Sequence, residues 1–285
     1  FDQMKESYRT QAEALLHGGA DILLIETCFD ALNVKAALAA IAELDRNSMN
    51  DGTGILPPPA RGRGPAWLGG GLCSHHGVPV MISVSVGDRS GRTLTGQTLE
   101  AFLCSVSHAE IFSVGLNCSF GAEQLLPYLK EISSIAPWWV SAHPNAGIPN
   151  SLGAYDQTPE MMAHNIESYI NQGIVNIVGV CCGSTPDHIR AIAEVASKAT
   201  SIRQPSAGNL PRLAGIDAFR SNGAFINVGE RCNVAGSRKF LRLIKEKSYN
   251  EALAIARSQV RAGAMILDVN MDDAMLDTQS EMVNF

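Results

Sequence analysis

Short apolar segments alternate with helical segments along most of this chain, and this alternation limits the possible folds more than any other feature. Strands are predicted at 21–25, 79–86, 111–116, 138–142 and 175–180. Helices are predicted at 4–17, 31–44, 95–108, 123–135, 159–172 and 186–198. Alternating strands and helices predict an α/β protein with a parallel sheet and right-handed crossovers.

Polar and ionisable residues follow the predicted strands at the point where each strand ends. They are Glu26, Asp88, Asn117 with Cys118, His143 with Asn145, and the adjacent pair Cys181 and Cys182. A (β/α)8 TIM barrel builds its active site at the carboxyl ends of its strands, and a doubly wound sheet also binds ligands there. No Gly-x-Gly-x-x-Gly motif follows the first strand, which favours the barrel. Five strands do not close a barrel of eight, so we expect either an open sheet or a barrel whose N-terminal strands precede Phe1.

An irregular stretch at 46–77 interrupts this rhythm. It contains a triple proline, glycine-rich runs, and Cys73, His75 and His76, and it has no periodicity. This composition predicts a long irregular insertion in the first domain. The glycine-rich surroundings argue against a metal site formed by the cysteine and the two histidines.

The remaining sequence predicts a second domain after a linker. Residues 200–219 have the composition of a linker, which separates a first domain at 1–199 from a second unit at 220–285. The second unit has predicted strands at 225–228 and 264–269. Helices are predicted between them, at 237–246 and 249–262. This order predicts the start of a second TIM barrel that is cut short after two strands.

Composition excludes several classes of function. The 285-residue chain has a net charge of -6 and no basic block, which argues against nucleic acid and anionic membranes as partners. No apolar run reaches the roughly 18 residues of a membrane helix, and no secretory signal opens the sequence. The seven cysteines are odd in number and two are neighbours, unlike a secreted disulfide framework. We therefore expect a cytoplasmic protein.

Three cysteines fall at predicted strand ends on the same expected face. Cys118 follows one strand, and Cys181 with Cys182 follows the next strand but one. Three thiolates that converge in this way suit zinc and leave the fourth tetrahedral position open for a substrate. The alternative is that they are unpaired structural thiols. A disulfide between the two adjacent cysteines would be strained.

Several motifs carry a resemblance to the cobalamin-dependent methionine synthases. The segments 90–98, 116–118, 143–147 and 180–188, the last reading Val-Cys-Cys-Gly-Ser-Thr-Pro-Asp-His, resemble the homocysteine-binding barrel of that family. The segments 227–233 and 267–273 resemble the start of its methyltetrahydrofolate-binding barrel. The betaine–homocysteine methyltransferases share the cysteine pattern but lack the folate barrel, so residues 220–285 favour the methionine synthases. The resemblance covers nearly the whole chain outside 46–77.

The resemblance implies a metal-dependent methyltransferase. Cys118, Cys181 and Cys182 would bind zinc, and the homocysteine sulfur would be the fourth ligand. The methyl group would come from methylcobalamin, which 5-methyltetrahydrofolate recharges, and the product would be methionine. Cobalamin would be bound by a module outside this chain, because no Asp-x-His-x-x-Gly motif is present. No catalytic residue beyond the metal site is predicted.

The resemblance also suggests substrate contacts, for which simpler roles are open. Glu26 would hold the homocysteine amino group, or it is a solvated carboxylate. Asn117 would orient the metal site or complete its shell, or it is a turn residue. A further set would bind the pterin, or would only cap turns; its members are Glu230, Asn233, Asp268 and Asn270. Cys232, which lies among them, is expected to be a packed thiol.

The chain departs from the family at one position, and other functions stay open. Where the family tends to have Ile-Ser-Gly-Thr, residues 82–85 read Ile-Ser-Val-Ser, so Val84 is expected to narrow the pocket. A betaine–homocysteine-type methyltransferase and a pterin-binding synthase fragment are alternative enzymes. A non-catalytic truncated remnant, which would act only as a binding partner, is the alternative from another class.

Overall fold

The computed structural model divides the chain into two compact units, Phe1–Phe219 and Arg220–Phe285. It describes residues 1–50, 78–200, 202–205, 210–211, 213–221, 223 and 225–285. The predicted insertion at 46–77, with its Cys73, His75 and His76, lies outside the described residues from position 51 onward. Residues 46–50 continue a helix, so the irregular stretch does not begin at 46 as predicted.

The first unit contains a parallel five-stranded sheet whose strands follow chain order. The strands are β1 (Leu23–Cys28), β2 (Val80–Val84), β3 (Ser113–Gly121), β4 (Trp139–Asn145) and β5 (Ile177–Val178). The helices are α1 (Asp2–His17), α2 (Ala31–Asn50), α3 (Leu99–Val106), α4 (Ala122–Ile135), α5 (Pro159–Asn171) and α6 (Pro186–Ala196). The predicted α/β class and parallel pairing are confirmed.

Each helix of the first unit contacts the next one along the chain, from α1 to α6. Consecutive contacts place the helices in one layer, as in a β/α barrel, whereas a doubly wound sheet alternates helices between its two faces. The described strands form an open sheet of five with β1 and β5 at its edges. A complete barrel of eight strands therefore stays a prediction.

The core of the first unit lies between the sheet and this helix layer. Strand residues such as Ile82, Val114 and Leu116 are fully buried, and they pack with Phe102 of α3 and Leu125 of α4. Burial of such apolar side chains is the main force that holds parallel strands in register. The core therefore fixes where each strand ends.

Val84 belongs to this core and does not narrow a pocket, so that prediction is wrong. Its side chain is fully buried among the apolar residues. Because alternate residues of a strand face opposite sides, its neighbours Ser83 and Ser85 point to the other face of the sheet. Ser83 hydrogen-bonds Asn117 there, and Ser85 hydrogen-bonds Ser119.

Two strand boundaries in the first unit differ from those predicted. Strand β3 continues past residue 116 to Gly121, since Asn117 still pairs in register with His143 of β4. Strand β5 is only two residues long, although a strand was predicted over 175–180. It is half-buried because it forms the edge of the sheet, where only β4 pairs with it.

The C-terminal part of the predicted linker is ordered against the first unit. Strands β6 (Leu213–Ala214) and β7 (Ala218–Phe219) form an antiparallel pair that contacts α3. Earlier in the same stretch, the buried Arg203 donates hydrogen bonds to the backbone oxygens of Ser133, Ala136 and Trp138. These carbonyls lie at or just beyond the C-terminal end of α4, where helical carbonyls lack partners. The composition predicted neither contact.

The second unit has its own small core and one parallel strand pair. Strand β8 (Val228–Asn233) pairs with β9 (Ile266–Asn270). The helices are α7 (Arg238–Lys245), α8 (Tyr249–Arg261) and α9 (Thr278–Asn284). The predicted strand at 225–228 is wrong in its placement, because pairing begins only at Val228 and Phe225 is 86% exposed. Cys232 is fully buried in this core, which confirms the packed thiol.

No helix within the described ranges combines the length and the apolar character that crossing a bilayer requires.

We expect Gly115→Ala to destabilise the first unit strongly. A Cβ at this position of β3 would lie 2.0 Å from the main-chain oxygen of Ser141, its register partner on β4. Overpacking against backbone has no flexible side chain to relieve it, so we expect a loss of at least about 3 kcal/mol in the free energy of unfolding. Urea denaturation measures this loss.

The matched control for that experiment is Gly215→Ala. A Cβ on Gly215 meets no atom within 4 Å. We expect its unfolding free energy to stay within about 0.5 kcal/mol of the wild type. Equal denaturation midpoints for the two variants would contradict the close β3–β4 contact at Gly115.

Candidate metal centre

Three cysteine thiols converge at the carboxyl edge of the first sheet. Cys118 lies in β3, and Cys181 and Cys182 lie just beyond β5. Their three sulfur atoms are within 4.8 Å of one another. The Sγ–Sγ distance is 3.5 Å between Cys118 and Cys182, and 3.9 Å between Cys181 and Cys182. Among the described residues, this is the one group of His, Cys, Asp or Glu side chains with a geometry that could hold a metal ion.

The spacing of the sulfurs fits a tetrahedral metal–thiolate site. Zinc–sulfur bonds of about 2.3 Å at tetrahedral angles place sulfur atoms about 3.8 Å apart. The two closer Sγ–Sγ distances, 3.5 and 3.9 Å, lie on either side of that value. Soft thiolate ligands favour zinc over hard cations such as magnesium. Cys182 is exposed whereas Cys118 and Cys181 are half-buried, so the cluster is accessible from one side.

The backbone at Cys118 adopts a conformation that L residues rarely take. The φ angle is +56° at Cys118 and +61° at Ser119. Such left-handed residues other than glycine cost about 1–3 kcal/mol each and cluster at functional sites. The hydroxyl of Ser119 hydrogen-bonds that of Ser85 on the neighbouring segment at 2.8 Å. This contact helps to hold the strained turn that presents the Cys118 sulfur.

Asn117 connects the strand end before Cys118 to the two preceding strands. Its side-chain oxygen accepts hydrogen bonds from the Ser83 hydroxyl at 2.7 Å and from the Thr27 backbone N–H at 3.1 Å. Its amide nitrogen donates to the Thr27 hydroxyl at 2.9 Å. Asn117 is 2% exposed, so these contacts are shielded from water. They give the residue a positioning contact with β1 and β2, and its direct contact with metal or substrate stays a prediction.

The end of β4 and the first residue after it fix the turn that carries the adjacent cysteines. The Cys182 N–H donates to the side-chain oxygen of the buried Asn145 at 3.1 Å. The Ala146 N–H donates to the Cys182 carbonyl at 2.9 Å, and the Cys181 N–H donates to the Pro144 carbonyl at 2.8 Å. The backbone N–H groups and a carbonyl of the cysteine pair are therefore all bound by one neighbouring segment.

Gly183 completes this turn and cannot be replaced without strain. Its φ angle is +76°, which favours glycine. A Cβ there would also lie 2.1 Å from the Cγ atom of Tyr155. The Tyr155 ring thus packs directly on the backbone beside Cys182.

His188 joins the helix that follows the cysteine pair to the loop after β4. Its Nδ1 atom accepts the Thr185 N–H at 3.1 Å, which forms a capping box at the start of α6. Its Nε2 atom donates to the Gln157 carbonyl at 2.8 Å. These two contacts specify a neutral ring with its proton on Nε2. The buried imidazole is therefore a structural link behind the metal centre.

The surroundings of Cys181 favour its protonated thiol. Burial, followed by the charge of Cys118, raises the pKa of Cys181 to about 11. Burial and then the charge of Cys182 also raise the pKa of Tyr155. A metal ion must displace protons from such thiols, so its apparent affinity rises with pH.

The sequence suggested that Glu26 follows the first strand, but the residue lies inside β1. Its side chain is exposed at the carboxyl half of this edge strand. Burial lowers the pKa of His143, and the negative charge of Glu26 opposes this shift. The Nδ1 atom of His143 is buried without a hydrogen-bond partner among the described residues. The proposed contact of Glu26 with an amino group stays a prediction.

The sequence pattern did not single out Tyr155 or His188 as parts of this centre, whereas it placed Asn145 among the polar residues at the strand ends. Asn145 and His188 do lie inside the motif segments 143–147 and 180–188. Tyr155 lies in an irregular polar loop, where periodicity carries no information. Only the chain path after β4 shows that this loop returns to Gly183.

The candidate pterin residues of the second unit gather at the carboxyl ends of β8 and β9. The Asn233 side-chain nitrogen donates to Asp268 Oδ2 at 2.9 Å, and Asn233 is in register with Asn270. The side-chain oxygens of Asn233 and Asn270 also accept backbone N–H groups of the turns that follow. Glu230 is exposed in the irregular part of β8. Turn capping is therefore observed for both asparagines, and pterin contacts stay a prediction.

We expect Cys182→Ala to weaken zinc binding strongly, because it removes one of the three proposed ligands. Loss of an outer-shell contact alone costs roughly 10–100-fold in metal affinity, and we expect a larger loss here. Competition with a chromophoric chelator measures the affinity. Cys104→Ala is the matched control, since Cys104 is a buried thiol of the same unit that hydrogen-bonds the Pro211 carbonyl. Equal zinc affinity in the two variants would contradict the metal centre.

Comparison with known families matches both units of the chain. Residues 1–196 match the family model described as homocysteine S-methyltransferase, and this match contains all three clustered cysteines. Residues 229–285 match the family model described as pterin binding enzyme. The first match spans more than half of the chain. The chain therefore belongs to the homocysteine S-methyltransferase family.

Proposed function

We propose that this protein transfers a methyl group from methylcobalamin to homocysteine, with zinc held by Cys118, Cys181 and Cys182. In this proposal 5-methyltetrahydrofolate, bound through the second unit, supplies the methyl group that recharges the cobalamin. Methionine is the product. The observation that carries the proposal is the convergence of three thiols within 4.8 Å, on a chain that also matches a pterin-binding family.

The chemistry of the substrate explains why such a thiol cluster is needed. A free thiol with a pKa near 8.5 is mostly protonated at neutral pH, and the thiolate is the nucleophile. Zinc supplies positive charge that stabilises the deprotonated sulfur of a bound substrate. Three cysteine ligands leave one position open, and the exposed side at Cys182 gives homocysteine access to it.

The surrounding residues bind and orient rather than react. Asn117 and Asn145 are buried and hold the backbone on either side of the cluster. We propose that Glu26 binds the ammonium group of homocysteine, because its exposed carboxylate lies towards the carboxyl end of β1. His143 is kept neutral by burial, which favours its uncharged form beside that site.

The second unit is proposed to bind the pterin ring of the folate. Asp268 and Asn233 are hydrogen-bonded to each other at the ends of the two paired strands. Carboxylate and amide groups can accept and donate to the polar edge of a pterin. Glu230 and Asn270 lie on the same two strands and complete the proposed set.

We also propose a cytoplasmic location for this chain. Six cysteines among the described residues are free thiols, including the three proposed ligands. Thiols stay reduced in the cytosol, whereas secreted proteins form disulfides. We therefore propose a reducing compartment as the site of action.

We expect the zinc-loaded chain to form methionine from homocysteine and free methylcobalamin. Cys182→Ala should reduce the rate to the uncatalysed background, and the control Cys104→Ala should retain it. Absorbance of the cobalamin and mass spectrometry of methionine measure the transfer. Methionine from betaine, with none from methylcobalamin, would instead indicate a betaine–homocysteine-type enzyme. Absence of a cooperative thermal transition, with or without zinc, would indicate a non-catalytic remnant.

We expect Asp268→Asn to weaken 5-methyltetrahydrofolate binding about tenfold, because an amide accepts fewer hydrogen bonds than a carboxylate. Calorimetric titration of the folate measures this change. Asp272→Asn is the matched control, since Asp272 is an exposed carboxylate just after the same strand. Folate binding that survives in both variants would remove Asp268 from the proposed site.

A further inference from the structure

Strand β8 of the second unit contains one residue more than its partner β9 between two paired positions. Gly229 pairs with Leu267, and the next pair is Cys232 with Val269, so three steps along β8 lie opposite two steps along β9. This shift of register is a β-bulge at residues 230–231. Bulges re-aim side chains and are frequent beside binding sites, so the direction of the side chains around this one was examined in the two strands.

The bulge decides which face of the strand pair each later residue of β8 occupies. Gly229 faces α8, because a Cβ built on it would lie 2.7 Å from Oε1 of Gln259 in that helix. Cys232 also faces the helices, since it is fully buried in the core that α7 and α8 form with the strands. Residues three apart in a regular strand face opposite sides, so the extra residue is what puts both on the helix side. Asn233 then faces the other side, which we call the open face.

The candidate pterin residues meet on the open face only because of this bulge. In β9, Leu267 and Val269 pack against the core, so the alternating residues Asp268 and Asn270 lie on the open face. Asn233 joins them there, and its side-chain nitrogen donates to Asp268 Oδ2 at 2.9 Å. A shift of one residue moves every following side chain to the opposite face. Without the extra residue, Asn233 would therefore point into the core and away from the carboxylate.

The side-chain amide of Gln259 binds the bulge through both of its polar atoms. Its Oε1 atom accepts the Arg231 N–H at 2.8 Å, and its Nε2 atom donates to the Cys232 sulfur at 3.3 Å. A bulge takes a residue out of the pairing between strands, and the Arg231 N–H finds its acceptor in the helix instead. Gly229 leaves the space that the glutamine side chain occupies. One residue of α8 thus contacts the strand before, within and after the bulge.

We propose that Gln259 is a positioning residue of the pterin site, because its amide holds the β8 bulge that sets Asn233 on the open face beside Asp268. The glutamine lies on the helix side of the strands, so it acts through the bulge and does not touch the folate. The inference rests on the proposed function, since it presumes that the folate binds at the ends of β8 and β9. A binding site needs its polar groups held in one geometry by such supporting contacts.

The test is the affinity of the full chain for 5-methyltetrahydrofolate after Gln259→Met. Methionine is an unbranched residue with good helix propensity, and it lacks the amide. We expect the dissociation constant to rise about tenfold, because the two hydrogen bonds that hold the bulge are lost. Calorimetric titration measures the affinity, and thermal unfolding measured alongside gives the folded fraction to which it refers.

Gln279→Met is the matched control, because it makes the same exchange at an exposed position of α9 in the same unit. We expect its folate affinity to equal that of the wild type. Equal affinities of the Gln259→Met variant and the wild type would overturn the inference, and so would an equal loss in both variants.

Alkylation of Cys232 by iodoacetamide separates positioning from a loss of stability or a direct contact. Loss of the bulge would turn this buried thiol towards the open face, so we expect faster alkylation of Cys232 in the folded Gln259→Met variant. Peptide mass spectrometry measures the rate, with the buried Cys104 of the first unit as internal reference. Weaker folate binding with an unchanged rate at Cys232 would overturn the inference, because the bulge would then be intact.

A measurement on the wild-type chain covers a Gln259→Met protein that does not fold. Hydrogen exchange of the Arg231 amide is followed by NMR with and without 5-methyltetrahydrofolate. We expect slow exchange although Arg231 is exposed, and slower exchange with folate, because the ligand binds only the bulged form. Exchange as fast as in an unstructured chain, or exchange that folate leaves unchanged, would overturn the inference. A folded wild type that binds no folate overturns the proposed pterin site and the inference together, whereas folate binding that does not depend on Gln259 overturns the inference alone.

Discussion

The parallel pairing of β3 with β4 and of β4 with β5 is the interaction on which the three-thiol cluster depends. Parallel neighbours end at the same edge of a sheet, so the chain returns to that edge at the end of every strand. Cys118 reaches the edge within β3, and the adjacent cysteines reach it just beyond β5. The strand between them leads into Asn145 and Ala146, which bind the backbone of Cys182. The buried apolar face of the sheet holds this register, so the core determines the distance between the sulfurs.

The site is held against the local preference of the chain. Thr27, Cys118 and Ser119 all have positive φ angles, although none is glycine. Each costs about 1–3 kcal/mol and persists only where surrounding contacts fix it. Asn117 supplies such contacts to Thr27, and Ser85 supplies one to Ser119. Glycine would relieve the strain at Cys118, but it would remove the sulfur that the centre requires.

Methyl transfer to sulfur makes two demands, and different parts of the first unit meet them. One sulfur must be kept deprotonated and accessible, which the open side of the three-thiol cluster allows. The cysteine sulfurs must stay in place, which depends on the contacts that Pro144, Asn145 and Ala146 make with the backbone of the cysteine pair. The pterin-binding match in the same chain joins a source of one-carbon groups to this sulfur chemistry. Family membership and geometry therefore support the same reaction from independent directions.

The sequence by itself determined the α/β class, the order of strands and helices, and the three cysteines as a set, because hydrophobic periodicity and residue chemistry are local properties. The sequence did not predict that Val84 faces the core, where β8 and the irregular stretch begin, or how short β5 is. Pairing partners and sheet edges decide these features. His188 and Tyr155, and the contact of Asn145 with Cys182, became parts of the centre only in the folded chain. Their roles depend on a loop that returns to Gly183 across sequence distances at which no local pattern carries information.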